Sequence, residues 1–290
     1  HMTMRRDLDA SCVAHALASG AEDLTGTGCE ALDLDSQVVT LKDGVQIGYR
    51  VLIGADGANS GVARALYGQA FDHDRIGFGL EIEGPVPAPD APVRIDFGAA
   101  DWGYGWNFPK AGSATIGIGG VHGRNPDMKA KMQAYQEIFG LGEGYRVKGA
   151  FLPFGDVRRW PGRREVLLAG DAAGLVDPIT GEGIAYAMQS GAFAGAAAAE
   201  AIAANHPPRA LTLYKQKLRP IHSAMFHANW IREIIFGRGF RGAFYRAFKG
   251  SGTVRHQYLR LMAGEIEYPA LAWATFKKVP GFVMRSVTGR

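Results

Sequence analysis

Cysteine is scarce in this sequence. Cys12 and Cys29 are the only two among 290 residues. Two thiols cannot build a disulfide framework, and no secretory leader pattern precedes them. A reducing, cytoplasmic setting is the expectation. No run of 18 apolar residues occurs, which excludes a membrane-spanning helix. The longest Ala/Gly-rich stretch, Gly183 to Ala204, contains Glu200 and reads as a packed helix. The G-x-S-x-G, G-x-x-x-x-G-K-[ST] and C-x-x-C patterns are also missing. His222 and His227 stand five apart, and Glu233 follows six later. That spacing fits neither H-E-x-x-H nor a tetrahedral zinc set, so no metal is expected. Asp72-His73-Asp74 reads as a solvated loop.

What is present suits a folded chain. Apolar residues make up 47% and charged residues 21%, enough to build a core. Forty glycines without a G-X-Y period exclude collagen and suit backbone that approaches a ligand closely. The net charge of +4 hides a split. After residue 204, fifteen Lys and Arg face three acids, whereas residues 1–204 carry eight more acids than bases. The local surplus points to an anionic partner: lipid headgroup, phosphate or nucleic acid.

His1-Met2 is set aside as a tag remnant. Leu8, Cys12, Val13, Ala16 and Leu17 recur at helical spacing and predict a helix from Asp7 to Ser19, with Gly20 as its stop and Cys12 as buried packing. Val38–Leu41 and Val45–Tyr49 flank Asp43-Gly44, a hairpin signal. Strands are expected at Ile76–Ile82, Val93–Phe97, Tyr104–Phe108, Ala114–Ile118, Val147–Leu152 and Glu165–Ala169. Pro126–Phe139 and a long segment from about Glu182 read as helices. From Pro207 on, aromatic and basic residues alternate in helical segments.

Three segments carry the chemistry. In the first, the apolar strand Val166–Ala169 delivers Asp171 to its C-terminal end, the edge where ligands sit in open α/β sheets. An ionised Asp there accepts hydrogen bonds from polyol hydroxyls. Gly181 and Gly183, after Pro178, then open the long helix, where backbone N–H groups reach a phosphate or a developing anion. The plain alternative is a strand-turn-helix with an N-cap. In the second, Val51-Leu52-Ile53 runs into Asp56-Gly57, with Ser60 placed to begin a short helix; an ordinary β-turn is the alternative. In the third, Tyr104-Gly105-Trp106-Asn107-Phe108-Pro109, alternation puts Tyr104, Trp106 and Phe108 on one face. That face is either a core stripe or the aromatic wall of an apolar cavity.

The first two segments resemble the nucleotide-contacting motifs of flavoprotein monooxygenases and their relatives. The third resembles the Tyr-x-Trp-x-Phe-Pro signature of the geranylgeranyl reductase family, and not the Trp-x-Trp-x-Ile-Pro of flavin halogenases. Arg5-x-x-Leu8-Asp9 is similar to the Arg-x-x-Phe-Asp that follows the first FAD half-site, with Leu8 in place of Phe. Leu261 to Tyr268, including Gly264, is similar to the C-terminal helical region of the same reductases. The resemblance implies an α/β chain, α+β overall. Residues 3–70 are the first part of a partial FAD-binding Rossmann-like domain. Residues 71–157 are a substrate domain on an antiparallel sheet, 158–206 the second FAD-binding part, and 207–290 a basic C-terminal helical region. Arg5, Asp56, Gly57, Asp171, Pro178, Gly181 and Gly183 are implied as FAD contacts. Tyr104, Trp106 and Phe108 are implied as substrate contacts. The implied reaction is reduction of isoprenoid double bonds by a reduced flavin. No proton donor is assigned.

One departure bears on the cofactor. The family opens with a βαβ unit holding G-x-G-x-x-G. None precedes Arg5, and Gly26-Thr27-Gly28 carries two of the three glycines. The expectation is an incomplete central sheet, covered by a partner chain, a dimer or a rearranged edge, and weak or absent FAD retention. A non-catalytic lipid-binding or scaffold relative, and a flavin-dependent aromatic hydroxylase or halogenase, stand as alternatives. Ile231, Ile234, Ile235, Phe236, Phe240, Phe244, Tyr245 and Phe248 are interleaved with Arg232, Arg238, Arg241, Arg246 and Lys249. These helices either dock peripherally on an anionic membrane or pack on the substrate domain. Nucleic acid is not expected, because no recognition motif accompanies the charge.

Overall fold

A computed structural model describes residues 5–237, 239, 241–266 and 268. Helix α1 (Arg5–Ala18) comes first, and Gly20, at φ 96°, follows its end. Strands β1 (Cys29–Asp33), β2 (Val38–Leu41) and β3 (Gln46–Gly48) make a small antiparallel sheet in chain order. Its β2–β3 turn is the expected Asp43-Gly44, where Gly44 takes φ 85° and Asp43 Oδ1 accepts the Val45 N–H at 3.1 Å.

The second sheet joins distant parts of the sequence. Strand β4 (Leu52–Gly54) leads into helix α2 (Gly61–Tyr67), which Ser60 caps by accepting the Ala63 N–H at 2.8 Å. Strands β5 (Gly77–Gly84), β6 (Arg94–Phe97), β7 (Tyr104–Lys110), β8 (Ser113–Val121), helix α3 (Met128–Glu137) and β9 (Lys148–Leu152) follow. Only then do β10 (Gly162–Arg163) and β11 (Val166–Leu168) return to β4. β11 pairs with β4 in parallel, Leu52 opposite Val166 and Gly54 opposite Leu168, in the order β10-β11-β4. Helix α4 (Ile184–Ala203) lies on this sheet through Ala194, Ala197 and Ala201. Their small side chains let the helix approach Val166, Leu167 and Leu168, all buried. Helix α5 (Ala210–Lys217) adds Leu211 and Tyr214, whose Oη donates to the Leu168 carbonyl at 2.9 Å.

The third sheet is antiparallel with the order β6-β7-β8-β5-β9. Its two faces differ. Leu80, Ile82, Ile116 and Ile118 point to α3 and meet Met128, Met132 and Tyr135. On the opposite face Tyr104, Trp106 and Phe108 stand in a row, with neighbouring ring centroids 6.0 and 6.3 Å apart. Trp106 rests on glycines. A Cβ at Gly117 would come within 2.4 Å of the indole, one at Gly119 within 3.2 Å and one at Gly79 within 3.6 Å.

Helices α6 (Arg219–Phe236), α7 (Arg241–Gly250) and α8 (Gly252–Met262) close the aromatic face. Phe97 of β6 is their meeting point, with Phe236, Phe244, Tyr245, Phe248 and Tyr258 at 5.2 to 6.3 Å between centroids. The aromatics of α7 therefore turn inward, while Arg241, Arg246 and Lys249 stay exposed. Ile231, Ile235 and Phe236 are buried and Ile234 is half-buried. Arg238 and Phe240 lie outside the described residues.

Two expectations are corrected. Cys12 is exposed, because no residue of α1 is buried among the described residues. The helical period was present without a partner surface. Arg232, counted with the outward cations, is buried on the inner side of α6.

The glycine bed predicts a packing cost. Gly117→Ala forces a methyl group into the Trp106 ring, and the Leu80 carbonyl, 2.6 Å from the same point, blocks an escape. Overpacking of this kind costs roughly 1–3 kcal/mol. Urea unfolding should show a lower midpoint with an unchanged slope, and tryptophan emission should shift as the indole moves.

Candidate functional site

The parallel pair β4 and β11 brings two carboxylates to one sheet edge. Asp56 follows β4 and Asp171 follows β11, so chain stretches about 110 residues apart end side by side. The two acids are used differently. Asp56 Oδ1 accepts from Ser60 Oγ at 2.5 Å, and Oδ2 accepts the N–H groups of Gly61 at 2.7 Å and Val62 at 3.2 Å. That carboxylate is tied to the start of α2. Gly57 turns the chain there at φ 76°.

Asp171 is left open. Gly170, at φ 56°, starts a short 3-10 turn and donates its N–H to Ser190 Oγ of α4 at 2.9 Å. This fixes the turn while the Asp171 carboxylate accepts no hydrogen bond among the described residues. Its Oδ1 lies 3.4 Å from where a Cβ on Gly183 would stand. Burial pushes the Asp171 pKa up, and the Arg5 guanidinium pulls it the other way. Arg5 itself holds Asp9 at 3.0 and 3.1 Å. The fold thus gathers Arg5, Asp171 and Gly183.

Residues 177–183 form a tight loop before α4. Asp177 is only 4% exposed. Its Oδ1 accepts the N–H groups of Ile179 and Thr180 at 2.9 and 2.8 Å, and Tyr268 Oη donates to the carboxylate at 2.5 and 2.6 Å. Backbone bonds from Gly181 to Asp177 and from Asp177 to Glu182 complete the loop, with Gly181 at φ 72°. Glu182 Oε1 takes the Ala185 N–H at 2.8 Å. One donor at the α4 N-terminus is thus already used by the chain's own carboxylate. From the sheet side, Tyr104 Oη donates to the Thr180 carbonyl. Burial keeps the Tyr104 hydroxyl far above its usual pKa, so it holds its proton.

Two spaces flank this loop. One, of about 30 Å³, is lined by Tyr104 and Trp106, together with Trp102, Phe154, Pro178, Gly181 and Phe236. The other, of about 310 Å³, has Asp177, Glu182, Gln189 and Tyr268 on its walls. Phe108 stacks on Trp106 but does not line the apolar space. Asp177, Thr180, Tyr268, Trp102 and Phe154 were given no role from sequence. Asp177 and Tyr268 do lie within the two strings singled out there, and their contact spans 91 positions. Among the described residues, no group of three metal-ligating side chains occurs.

An open carboxylate beside a glycine at a helix start fits the polyol and phosphate portion of FAD. Gly181 and Gly183 leave the backbone accessible for the same purpose.

No family model matches the chain. It is 33% identical over 245 residues to geranylgeranyl diphosphate reductase of Rhodobacter capsulatus, matching 78% of this chain and 60% of that protein. It is 29% identical over 216 residues to digeranylgeranylglycerophospholipid reductase of Methanosarcina acetivorans, matching 68% of this chain and 53% of that one. The chain therefore spans somewhat over half the length of these relatives. A solved geranylgeranyl bacteriochlorophyll reductase-like protein of Thermoplasma acidophilum superposes with a TM-score of 0.72 at 22% identity. The superposition covers 80% of this chain and 64% of that one, and shows the shared fold.

Asp171 gives a prediction with two opposed signs. Its folded pKa lies above the unfolded value, so the native state binds the proton more tightly. The charged form therefore lowers native stability near neutral pH, and that cost fades as pH falls through the folded pKa. Asp171→Asn should raise the thermal midpoint of the flavin-free chain near neutral pH and leave it unchanged in acid. FAD binding should move the other way. A hydrogen bond to a charged acceptor is worth roughly 1.5–3 kcal/mol, about 10- to 100-fold in Kd. Flavin fluorescence titration reads this, and equal affinity in both chains removes Asp171 from the site.

Proposed function

Since the chain belongs, over its matched residues, to the geranylgeranyl reductase family of FAD-dependent oxidoreductases, we propose that it reduces carbon–carbon double bonds of an isoprenoid chain. One observation carries this reading. The Tyr104 hydroxyl joins the aromatic sheet face directly to the loop that precedes α4. Cofactor contacts and an apolar wall thus share one junction.

Each side chain has a part. Asp171, Gly181 and Gly183 would hold FAD, which when bound and reduced would supply a hydride to one alkene carbon while the other carbon takes a proton. Trp106, backed by the stacked Phe108, offers flat apolar surface against which a methyl-branched chain lies, and the α6–α8 aromatics keep water from it. Tyr104 positions the loop. Burial keeps the proton on Oη, held toward the Thr180 carbonyl, so the hydroxyl orients the loop.

The test is a turnover assay. The chain is loaded with FAD, reduced chemically without oxygen, and given a geranylgeranyl lipid. Product gaining two hydrogens per reduced bond supports the proposal. Trp106→Ala should then lower kcat/KM by about 10-fold or more, the loss of an aromatic wall. Product gaining oxygen or halogen in the presence of oxygen and halide favours the hydroxylase or halogenase alternative. Lipid retention without any flavin binding favours the non-catalytic one.

The basic C-terminal helices extend the reading to the place where substrate is met. We propose contact with an anionic bilayer. Arg241, Arg246 and Lys249 present an exposed charged side, and on α6 Phe226 and Trp230 are 69% and 60% exposed one turn apart. No helix among the described residues is long and apolar enough to cross a membrane. Co-sedimentation should show binding to anionic vesicles, little to neutral ones, and weakening with added salt. Equal partition, or none at low salt, removes the membrane contact.

A further inference from the structure

The apolar space beside Tyr104 and Trp106 measures about 30 Å³. That is room for about two or three water molecules and far short of a prenyl chain. A chain reaches Trp106 only if a wall moves, and most of the walls are fixed. Tyr104 is tied to the Thr180 carbonyl, and Trp106 lies on its glycines. Phe154 and Ile179 are buried, and the Phe154 ring fills the place that a Cβ on Gly77 would take. Phe236 is buried too and packs on Phe97.

Trp102 differs from these. It stands in the loop between β6 and β7, half-buried, with its indole on the wall of the space. Its φ is 54°, a conformation that a bulky residue rarely adopts and that persists only where the surroundings impose it. Here they do. Asp101 donates its N–H to Asn125 Oδ1 at 2.8 Å, and its carbonyl accepts from Asn125 Nδ2 at 2.8 Å. Gly103 lies so close to β8 that a Cβ on it would run into the Gly119 carbonyl. The backbone on both sides of Trp102 is therefore pinned, and the side chain alone is left free to turn. Glycine would meet this φ without strain, so the fold accepts a cost to keep an indole at this spot.

The indole is held by stacking and charge. The Arg124 Cζ lies 4.5 Å and the Arg232 Cζ 5.2 Å from its centroid, and Phe236 stacks on it at 6.5 Å. Contacts of this kind attract without the directional lock of a hydrogen bond. Arg124 is exposed, so one of the two cationic holds sits at the surface. Arg232 is buried and also lies 5.2 Å from the Phe154 centroid, so it keeps a ring partner when the indole leaves.

We propose that Trp102 is the gate to the apolar space: its indole turns outward about a pinned backbone, and the hydrocarbon chain takes the place it leaves, between Phe154, Phe236 and Trp106. This rests on the isoprenoid reading and names the residue that sets how fast and how tightly the chain enters. The closed form competes with the substrate, so whatever stabilises it lowers the apparent affinity.

The test is stopped-flow binding of geranylgeraniol to the full chain, read by tryptophan fluorescence. In the parent chain the observed rate should level off with rising lipid, at the rate of gate opening. Arg124→Gln, at the surface, removes one hold on the closed indole. It should raise the plateau rate and tighten Kd, each by about 2- to 5-fold. Trp102→Gly, checked for folding by circular dichroism, removes the gate and suits the backbone. Its rate should rise linearly with lipid, and its Kd should fall about tenfold or more. A Trp102 that serves only as packing gives the opposite sign, because a loosened wall weakens binding. Unchanged, slower or weaker binding in Arg124→Gln therefore overturns the gate alone, even if Trp102→Gly does not fold. So does a parent rate that rises linearly without a plateau. Geranylgeraniol failing to bind the parent and both variants overturns the isoprenoid reading itself, and the gate with it.

Discussion

The buried carboxylate of Asp177 is the constraint on which the site's geometry rests. A charge removed from water is tolerated only when its lone pairs are filled. Two backbone N–H groups and the Tyr268 hydroxyl fill them, and in doing so fold residues 177–182 into one shape. That shape puts Gly181 at positive φ, sets Gly183 beside Asp171 and turns the Thr180 carbonyl toward Tyr104. Sheet, loop and C-terminal segment are thereby tied through one acid. Removing either the acid or the phenol leaves the partner buried and unsatisfied, which costs more than the bond itself contributes.

The antiparallel sheet answers a second demand: large rings on one face and a covering helix on the other. Its β8 strand is Ser-Ala-Thr-Ile-Gly-Ile-Gly-Gly-Val, with isoleucines toward α3 and glycines under Trp106. Alternation of period two sorts the strand into a packing side and a platform. Glycine weakens a strand interior. Here it leaves room for an indole that lies flat on the backbone. The platform is therefore legible as a pattern in β8 as well as in the Tyr-x-Trp-x-Phe string of β7.

Local pattern carried most of the element assignments. The Asp43-Gly44 turn, the α2 cap at Ser60 and the strands of the five-stranded sheet lie within a few residues of where periodicity placed them. What stayed hidden depends on contacts between remote segments. The partners of the Asp56 carboxylate, Ser60, Gly61 and Val62, are set by where α2 begins. The α7 aromatics suit a lipid surface or a core equally well as a sequence, and Phe97, about 150 residues earlier, decides it. Cys12 shows the converse, since a helical stripe does not supply the surface it needs. Arg232 sits in a run of cations, and composition has no means to mark the one that faces inward.

The basic surplus of the last third is consequently not one feature. Some of it meets the acidic part of the chain, as Arg241 with Asp101 at 3.6 Å and Lys217 with Glu200 at 3.7 Å. Exposed pairs of this kind contribute about 0–1 kcal/mol and would be as well served by lysine as by arginine. Arg232 obeys a different rule. Its neighbours are rings and other guanidinium groups, and its solvent is gone, so its charge keeps its reach where a surface charge is screened. A bare excess of cations says only that anions are welcome. Burial adds what composition lacks, because it marks the one cation among them whose charge solvent does not screen.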